Sequence, residues 1–393
     1  MHTHDSDIAI LGGGLAGGLI ALALARLRPE LRIVLIEAAK LCGGNHVWSC
    51  FASDVPPGAE WLVEPLTAAR WTGYDVRFPK VQRRLDTPYR SLTGELLDSA
   101  LRAALPADAL LTGVSVTSTT PNSVTLSDGR RLPVGAVIDA RGFAGLPGMT
   151  GGWQKFLGQM LRLREPHGLT RPVVMDATVD QSDGYRFVYC LPFSPTEVFV
   201  EDTYYADSPD LDVPLLTARI ADYCHGAGWQ VEQVMRQETG VLPVVGQGEV
   251  AALWPQDDGI ARAGVRAGLF HPLTSYSLPT ALRLALHIAS LTDLSGQNLA
   301  AATRKFAARH WQSGSYYRML SSMLFGASDP PSRYRMLQRF YALRPGLIER
   351  FYAGESTLAD KARVLAGRPP VPVTAALAVL AGRRKLASLE NIE

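Results

Sequence analysis

Cysteine is scarce, with only Cys42, Cys50, Cys190 and Cys224 in 393 residues. None stands in a CxxC pair or a zinc-like cluster, so a metal module or a disulfide scaffold is not expected, and a reduced, cytoplasmic compartment is. Charge is sparse too, at 19% of residues, while 47% are apolar, which excludes the composition of a disordered chain. No Ser-His-Asp or Cys-His arrangement has the context for acyl transfer, and no His/Asp/Glu spacing suggests a metal. The run Ile8–Ala25 has the length and apolarity of a membrane span, but glycines interrupt it. His2, His4, Asp5 and Asp7 precede it where a signal or anchor would carry basic residues, so it reads as part of a folded domain. Internal repeats and low-complexity tracts are lacking.

A chain of this length fits two or three domains. Asp7–Leu11 reads as a strand, Gly12–Gly18 as a glycine loop, Leu19–Leu27 as a buried helix and Arg32–Ile36 as a second strand ending at Glu37. Gly12-x-Gly14-x-x-Gly17, with Ala16 inside it, then matches the dinucleotide fingerprint in its required strand–loop–helix–strand context. Glycines there admit a pyrophosphate to the backbone at a helix N-terminus, and Glu37 is placed to accept hydrogen bonds from ribose hydroxyls. Two later segments favour FAD over NAD: the strand ending in Asp139-Ala140-Arg141-Gly142, and Gly264-Val-Arg-Ala-Gly268 leading through His271-Pro272 into an apolar helix.

The expected fold is α/β, a Rossmann-like FAD-binding domain with an inserted antiparallel-sheet substrate domain and a helical C-terminal region. Residues 1–60, 93–150 and 255–300 are assigned to the first, 61–92 and 151–254 to the second, and 301–393 to the third. Residues 48–88 read as irregular, 93–104 as a helix, and 123–132 as a hairpin around Asp128-Gly129. Residues 171–175, 185–191 and 197–203 read as strands, and 213–223 and 278–291 as helices.

Four stretches resemble one family. Gly43-Gly-Asn-His46-Val-Trp-Ser49, Phe199-Val-Glu201-Asp202-Thr203, Arg266–Pro272 and Thr274-Ser275-Tyr-Ser-Leu-Pro279 are similar to motifs of bacterial FAD-dependent lycopene β-cyclases, over nearly the whole chain. The resemblance implies a flavoprotein of the hydroxylase and geranylgeranyl-reductase-like fold. It implies an isomerase that converts lycopene through γ-carotene to β-carotene without net redox change, with reduced FAD and NAD(P)H as reductant. Two departures stand out. Val265 follows Gly264 where flavin hydroxylases carry an Asp, and Ser275 stands where a Thr-Gly-Tyr-Ser turn would carry Gly.

Cyclisation of that kind needs a strong acid in a dry pocket, and burial keeps a carboxyl protonated near neutral pH. Glu201 and Asp202 are the candidates; period-2 pleating sends them to opposite faces, so only one serves, with Glu201 favoured. Trp48, Tyr189, Phe199 and Tyr276 are candidate cation-stabilising aromatics. His271 is a candidate for the flavin edge or for the C6 proton, and His46 for a loop over the flavin or a turn-stabilising role.

Residues 300–393 hold 15 Lys and Arg against 6 Asp and Glu. Arg333–Tyr352 interleaves aromatic, aliphatic and basic residues, which suits either a membrane surface, as a lipid-soluble substrate would require, or a helical cap on the core. Neither a nucleic acid nor an obligate protein partner is expected, and the location implied is cytoplasmic and peripheral to the membrane. The rival readings are an FAD-dependent monooxygenase or polyprenyl reductase of the same fold, and a flavin or carotenoid binding protein without catalysis.

Overall fold

The computed structural model describes residues 6–142, 145–182, 184–254, 258–367 and 371–390. His2, His4 and Asp5 lie outside them. Strand β1 (Ser6–Leu11) is buried from Ile8 onward, as suits a central parallel strand covered on both faces. Gly12, at φ +98°, turns the chain into α1 (Leu15–Leu27), which is buried nearly all round and therefore an internal helix. The chain returns in β2 (Ile33–Glu37).

The stretch expected to be irregular holds most of β3 (Val47–Phe51), then α2 (Glu60–Val63), β4 (Thr67–Trp71), β5 (Tyr74–Phe78) and β6 (Val81–Leu85), and β7 (Tyr89–Thr93) follows it. Each strand spans five residues, too few for alternation to stand out amid Pro and Trp. Thr93 then caps α3 (Gly94–Ala104), its hydroxyl accepting from Leu96 N. After β8 (Leu110–Thr112) and β9 (Val116–Thr120), the Asp128-Gly129 turn joins β10 (Ser123–Leu126) to β11 (Arg131–Asp139), with Gly129 at φ +87°.

Next come β12 (Thr150–Leu163), β13 (Val173–Asp176), β14 (Tyr185–Pro192), β15 (Glu197–Ala206), α4 (Val213–Gly226) and β16 (Val231–Gln247). The rest is mainly helical: a short β17 (Ala261–Arg262), α5 (Leu278–Ala289), α6 (Gly296–Ser313), α7 (Ser315–Gly326), α8 (Tyr334–Phe340), α9 (Pro345–Tyr352), α10 (Leu358–Leu365), α11 (Val373–Leu380) and β18 (Ala387–Ser388).

Three sheets result. The first runs β8-β2-β1-β11-β10-β9, parallel from β8 to β11, with β17 parallel to the end of β11. The second runs β16-β12-β15-β14-β13-β5-β6 with β18 against the start of β12, and the third runs β3-β7-β4. Alternation divides the second sheet's side chains between two cores. Leu157, Leu161, Val188, Val198 and Val200 meet Leu216 and Ile220 of α4 on one face. Phe187, Phe199 and Tyr205 join Tyr317, Phe325, Tyr341 and Phe351 of the C-terminal helices on the other.

On that second face, aromatic rings lie over glycines. A side chain added to Gly152, Gly158 or Gly240 would come within 2.1 Å of Phe325, 2.3 Å of Phe199 or 2.2 Å of Phe156. The basic aromatic stretch Arg333–Tyr352 also turns inward. Phe340, Tyr341, Leu347, Ile348 and Phe351 are buried, and Arg333 is buried against Asp207 at 2.9 Å. It is a cap on the core, because its apolar stripe finds the aromatic face of the sheet.

Candidate active site

A cavity of about 610 Å³ lies between the first sheet's switch region and the aromatic face of the second. At one end it is lined by Gly12, Gly14, Ala16, Glu37, Gly43, Gly44, His46, Ala140, Arg141, Gly142, Gly264, Val265 and Ser275. Segments far apart in sequence thus converge on the N-terminus of α1. A Cβ on Gly14, the N-cap of α1, would meet nothing within 4 Å, so a ligand has room to approach the start of the helix. Gly17 does not line the cavity. A Cβ there would lie 2.0 Å from the Gly12 carbonyl oxygen, so its absence lets the helix seat on the turn. Glu37 accepts hydrogen bonds from Gly13 N at 2.7 Å and Ala39 N at 2.8 Å, which fixes its carboxylate at the end of β2. This cradle fits a dinucleotide: an exposed helix N-terminus, glycines where ligand must approach, and an anchored carboxylate for ribose.

The other end is floored by the second sheet. Val174 and Met175 of β13, Phe187 and Tyr189 of β14, Glu201 and Tyr205 of β15, Gln154 and Phe156 of β12, and Glu238, Gly240 and Leu242 of β16 all border it. Trp48, Phe51, Tyr89, Tyr276 and Tyr352 close over them. Tyr89 and Tyr189 join their hydroxyls, and Tyr276 donates to Asp54 at 2.7 Å, so these phenols have partners other than a ligand. Phe199 lies beneath the lining, over Gly158.

Glu201 faces this cavity and accepts a hydrogen bond from Thr203 Oγ1 at 2.6 Å. Burial pushes its carboxyl from the usual 4.5 up to about 7, against the opposing pull of the Thr203 hydroxyl. Asp202 points to the opposite face, where Arg186 grips it with Nη2–Oδ2 at 2.6 Å and Nε–Oδ2 at 2.9 Å. That ion pair is buried, and Asp202 does not border the cavity.

His271 does not border it either. Its Nδ1 accepts from Leu273 N and Thr274 N, both at 3.3 Å, and its ring packs on Tyr317 and Phe351. Burial depresses it to about 3, so it is a neutral turn-holding side chain behind the cavity wall. Gly268 ends the turn after Gly264 at φ +71°, away from the cavity. Ser275 has φ +57°, the only positive φ outside glycine among the described residues. The left-handed backbone that favours glycine is therefore retained, and the Ser275 hydroxyl donates to Pro243 O at 2.6 Å.

One buried carboxyl escaped the sequence reading. Glu238 is 4% exposed, accepts from Val47 N at 2.9 Å, and lies 4.0 Å from His46 Nδ1. Burial pushes it up to about 8, and the charge of Glu201 adds to the shift. It sits in Arg236-Gln-Glu-Thr, a polar run that reads as surface. Only its partners across the sheet place it under the cavity.

The model of the family described as lycopene cyclase protein matches residues 7–378. A lycopene beta-cyclase of Pseudescherichia vulneris is 48% identical, covering 93% of this chain and 95% of its own length. One of Pantoea ananas is 43% identical, covering 94% and 97%. The solved flavoprotein/dehydrogenase of Cytophaga hutchinsonii is similar in fold, with TM-score 0.56 at 14% identity, covering 96% of this chain and all of the other.

Proposed function

This chain belongs to the lycopene cyclase family, and from that premise we propose how its cavity performs the family's ring closure. The protein is a lycopene β-cyclase, an isomerase that closes the acyclic ends of lycopene into β rings with no net redox change. Its fold is that of a flavoprotein.

The observation that carries the mechanism is Glu201, a carboxyl desolvated to about 7 inside an aromatic cavity. A carboxyl that keeps its proton at neutral pH delivers it to C2 of the terminal double bond, leaving a tertiary cation at C1. The C5=C6 pair then attacks C1 and moves the charge to C5. Trp48, Phe156, Tyr189 and Tyr276 line this space, and an aromatic face turned to a cation is worth about 0.5–2 kcal/mol. Asp202, held by Arg186 across the sheet, serves the framework.

The cradle supports FAD, with the N-terminus of α1 and Gly12, Gly14 and Ala16 toward the pyrophosphate and Glu37 toward ribose. Ala140–Gly142, Gly264, Ser275 and His46 line the cavity beside this cradle and would hold the flavin. Reduced at the expense of NAD(P)H, FAD held there would supply negative charge that favours the cation.

No helix among the described residues is long and apolar enough to cross a membrane. Lycopene dissolves in bilayers, so we place the membrane contact at α10 and α11. Leu358 at 84%, Leu377 at 60%, Val373 and Leu365 are exposed there, near Lys361, Arg363, Arg383 and Arg384 in the chain. Apolar side chains among cations suit an anionic interface.

The test is incubation with lycopene in liposomes, FAD and NADPH, followed by pigment chromatography. Ring-closed products without stoichiometric NADPH loss are expected, and Glu201→Gln abolishes them. Hydroxylated or saturated pigments would sink the cyclase reading in favour of a monooxygenase or reductase.

A further inference from the structure

Ring closure releases a proton from C6 as well as taking one at C2. His271, behind the wall, has no access to it. Among the described residues, three carboxyl side chains border the cavity: Glu37, Glu201 and Glu238. Glu37 is tied to Gly13 and Ala39 at the cradle end.

Glu201 and Glu238 are register partners of the same residue, Gly158, one on each side of β12. Directly opposed residues share a face, so both carboxyls rise from one side of the sheet, with their α-carbons about 10 Å apart at about 4.8 Å per strand. Gly158 contributes no side chain between them. Its empty place is filled by the Phe199 ring, which keeps the interval apolar. Tyr189, the partner of Glu201 on the other side, completes the row.

Among the described residues neither carboxyl has a side-chain cation in hydrogen-bond contact: Glu201 accepts from Thr203, and Glu238 accepts from Val47 N. The titratable and charged groups facing Glu238 are Glu201 from β15, His46 from the loop before β3, Arg236 from its own strand, and Glu95 from α3. Those acting on Glu201 are Glu238 from β16, the Tyr189 phenol from β14 and, from the opposite face of the sheet, Asp202.

We propose that Glu238 is a second catalytic carboxylate, the base that removes the C6 proton after Glu201 has protonated C2. This rests on the cyclase reading of the cavity. Glu201 gives its proton to C2 and becomes a carboxylate; the C5=C6 pair forms the C1–C6 bond, leaving the cation at C5. The C6–H bond then breaks, its electron pair restores C5=C6, and the proton passes to the Glu238 carboxylate. Return of that proton to Glu201 through water, once the product has left, resets the pair with nothing oxidised or reduced. The competent state holds one proton between the two groups, whose carboxyls burial pushes up together.

A cation at C5 has three neighbours that can lose a proton: C6, C4 and the methyl. A base aimed at C6 selects the β ring, so its loss is readable in product identity. In Glu238→Gln the amide oxygen still accepts from Val47, while proton acceptance is gone. Total ring formation should fall about 100-fold or more, and the rings that form should include double bonds at C4–C5 or exocyclic to C5. The acid limb of the rate–pH profile, where wild type loses its base, should vanish. Glu238→Asp should restore part of the rate and some β selectivity. If either variant fails to bind flavin, the other carries the test.

Rings that are all β, formed at the wild-type rate with the wild-type pH profile, would overturn the proposal. So would slowed formation of β rings alone with both pH limbs intact, which would mark Glu238 as structural. Absence of any ring from wild type, by contrast, would refute the cyclase reading itself.

Discussion

Glu201 should cost the fold stability at the pH where the enzyme works, and Glu201→Gln should recover it. Its carboxyl is held at about 7 against an ordinary 4.5. Below about pH 4.5 the folded and unfolded chains both bind this proton. As pH rises the unfolded chain releases it first, so the stability contributed by the proton is lost between about 4.5 and 7 and stays lost above. At about 1.4 kcal/mol per pH unit this amounts to at most about 3 kcal/mol. Gln has no proton to lose and can still accept from the Thr203 hydroxyl. Urea unfolding of both proteins at saturating FAD, at pH 5 and pH 8.5, measures the difference. The variant should match wild type at pH 5 and exceed it by about 2–3 kcal/mol at pH 8.5, while making no rings. Because the charge of Glu201 also raises Glu238, the difference reads Glu201 together with its coupling to Glu238, and every uncoupled group cancels. Parallel losses between the two pH values would show that Glu201 is ionised at little cost, and the acid role would fall with it.

Other substitutions separate framework from chemistry. Gly17→Ala forces a methyl to 2.0 Å from the Gly12 carbonyl; flavin absorbance of the purified protein should be lost. Asp202→Ala strands Arg186 in the core, and about 3–5 kcal/mol of stability should go in denaturation, while the folded fraction still makes β rings; altered products would give Asp202 a chemical role. Leu358→Asp with Leu377→Asp should weaken sedimentation with anionic liposomes several-fold and spare turnover of detergent-dispersed lycopene. Unchanged sedimentation would move the membrane contact elsewhere.

The cradle was legible because its signals are local: glycines at fixed spacing, a strand on each side and Glu37 at the end. The division between Glu201 and Asp202 followed from the two-residue period alone. Other features depend on partners distant in sequence. The first third of β16, Val231–Arg236, is largely exposed and hides the alternation, so Glu238 shows only once Gly158 is set beside it. His271 stands in a motif with Pro272, yet its ring turns away from the cavity. The aromatic and basic stripe at Arg333–Tyr352 has one pattern for two destinations. Its burial was decided by an aromatic sheet face that no sequence window contains.

The rings laid over Gly158 and Gly240 also set how this enzyme can diverge. Enlarging either glycine collides with an aromatic ring on its own sheet, so those sites resist drift toward a narrower chamber. Truncating Phe156, which borders the cavity, opens volume without moving the backbone. Acceptance of bulkier end groups is therefore one substitution away, whereas exclusion of the present ones requires coordinated change on two strands.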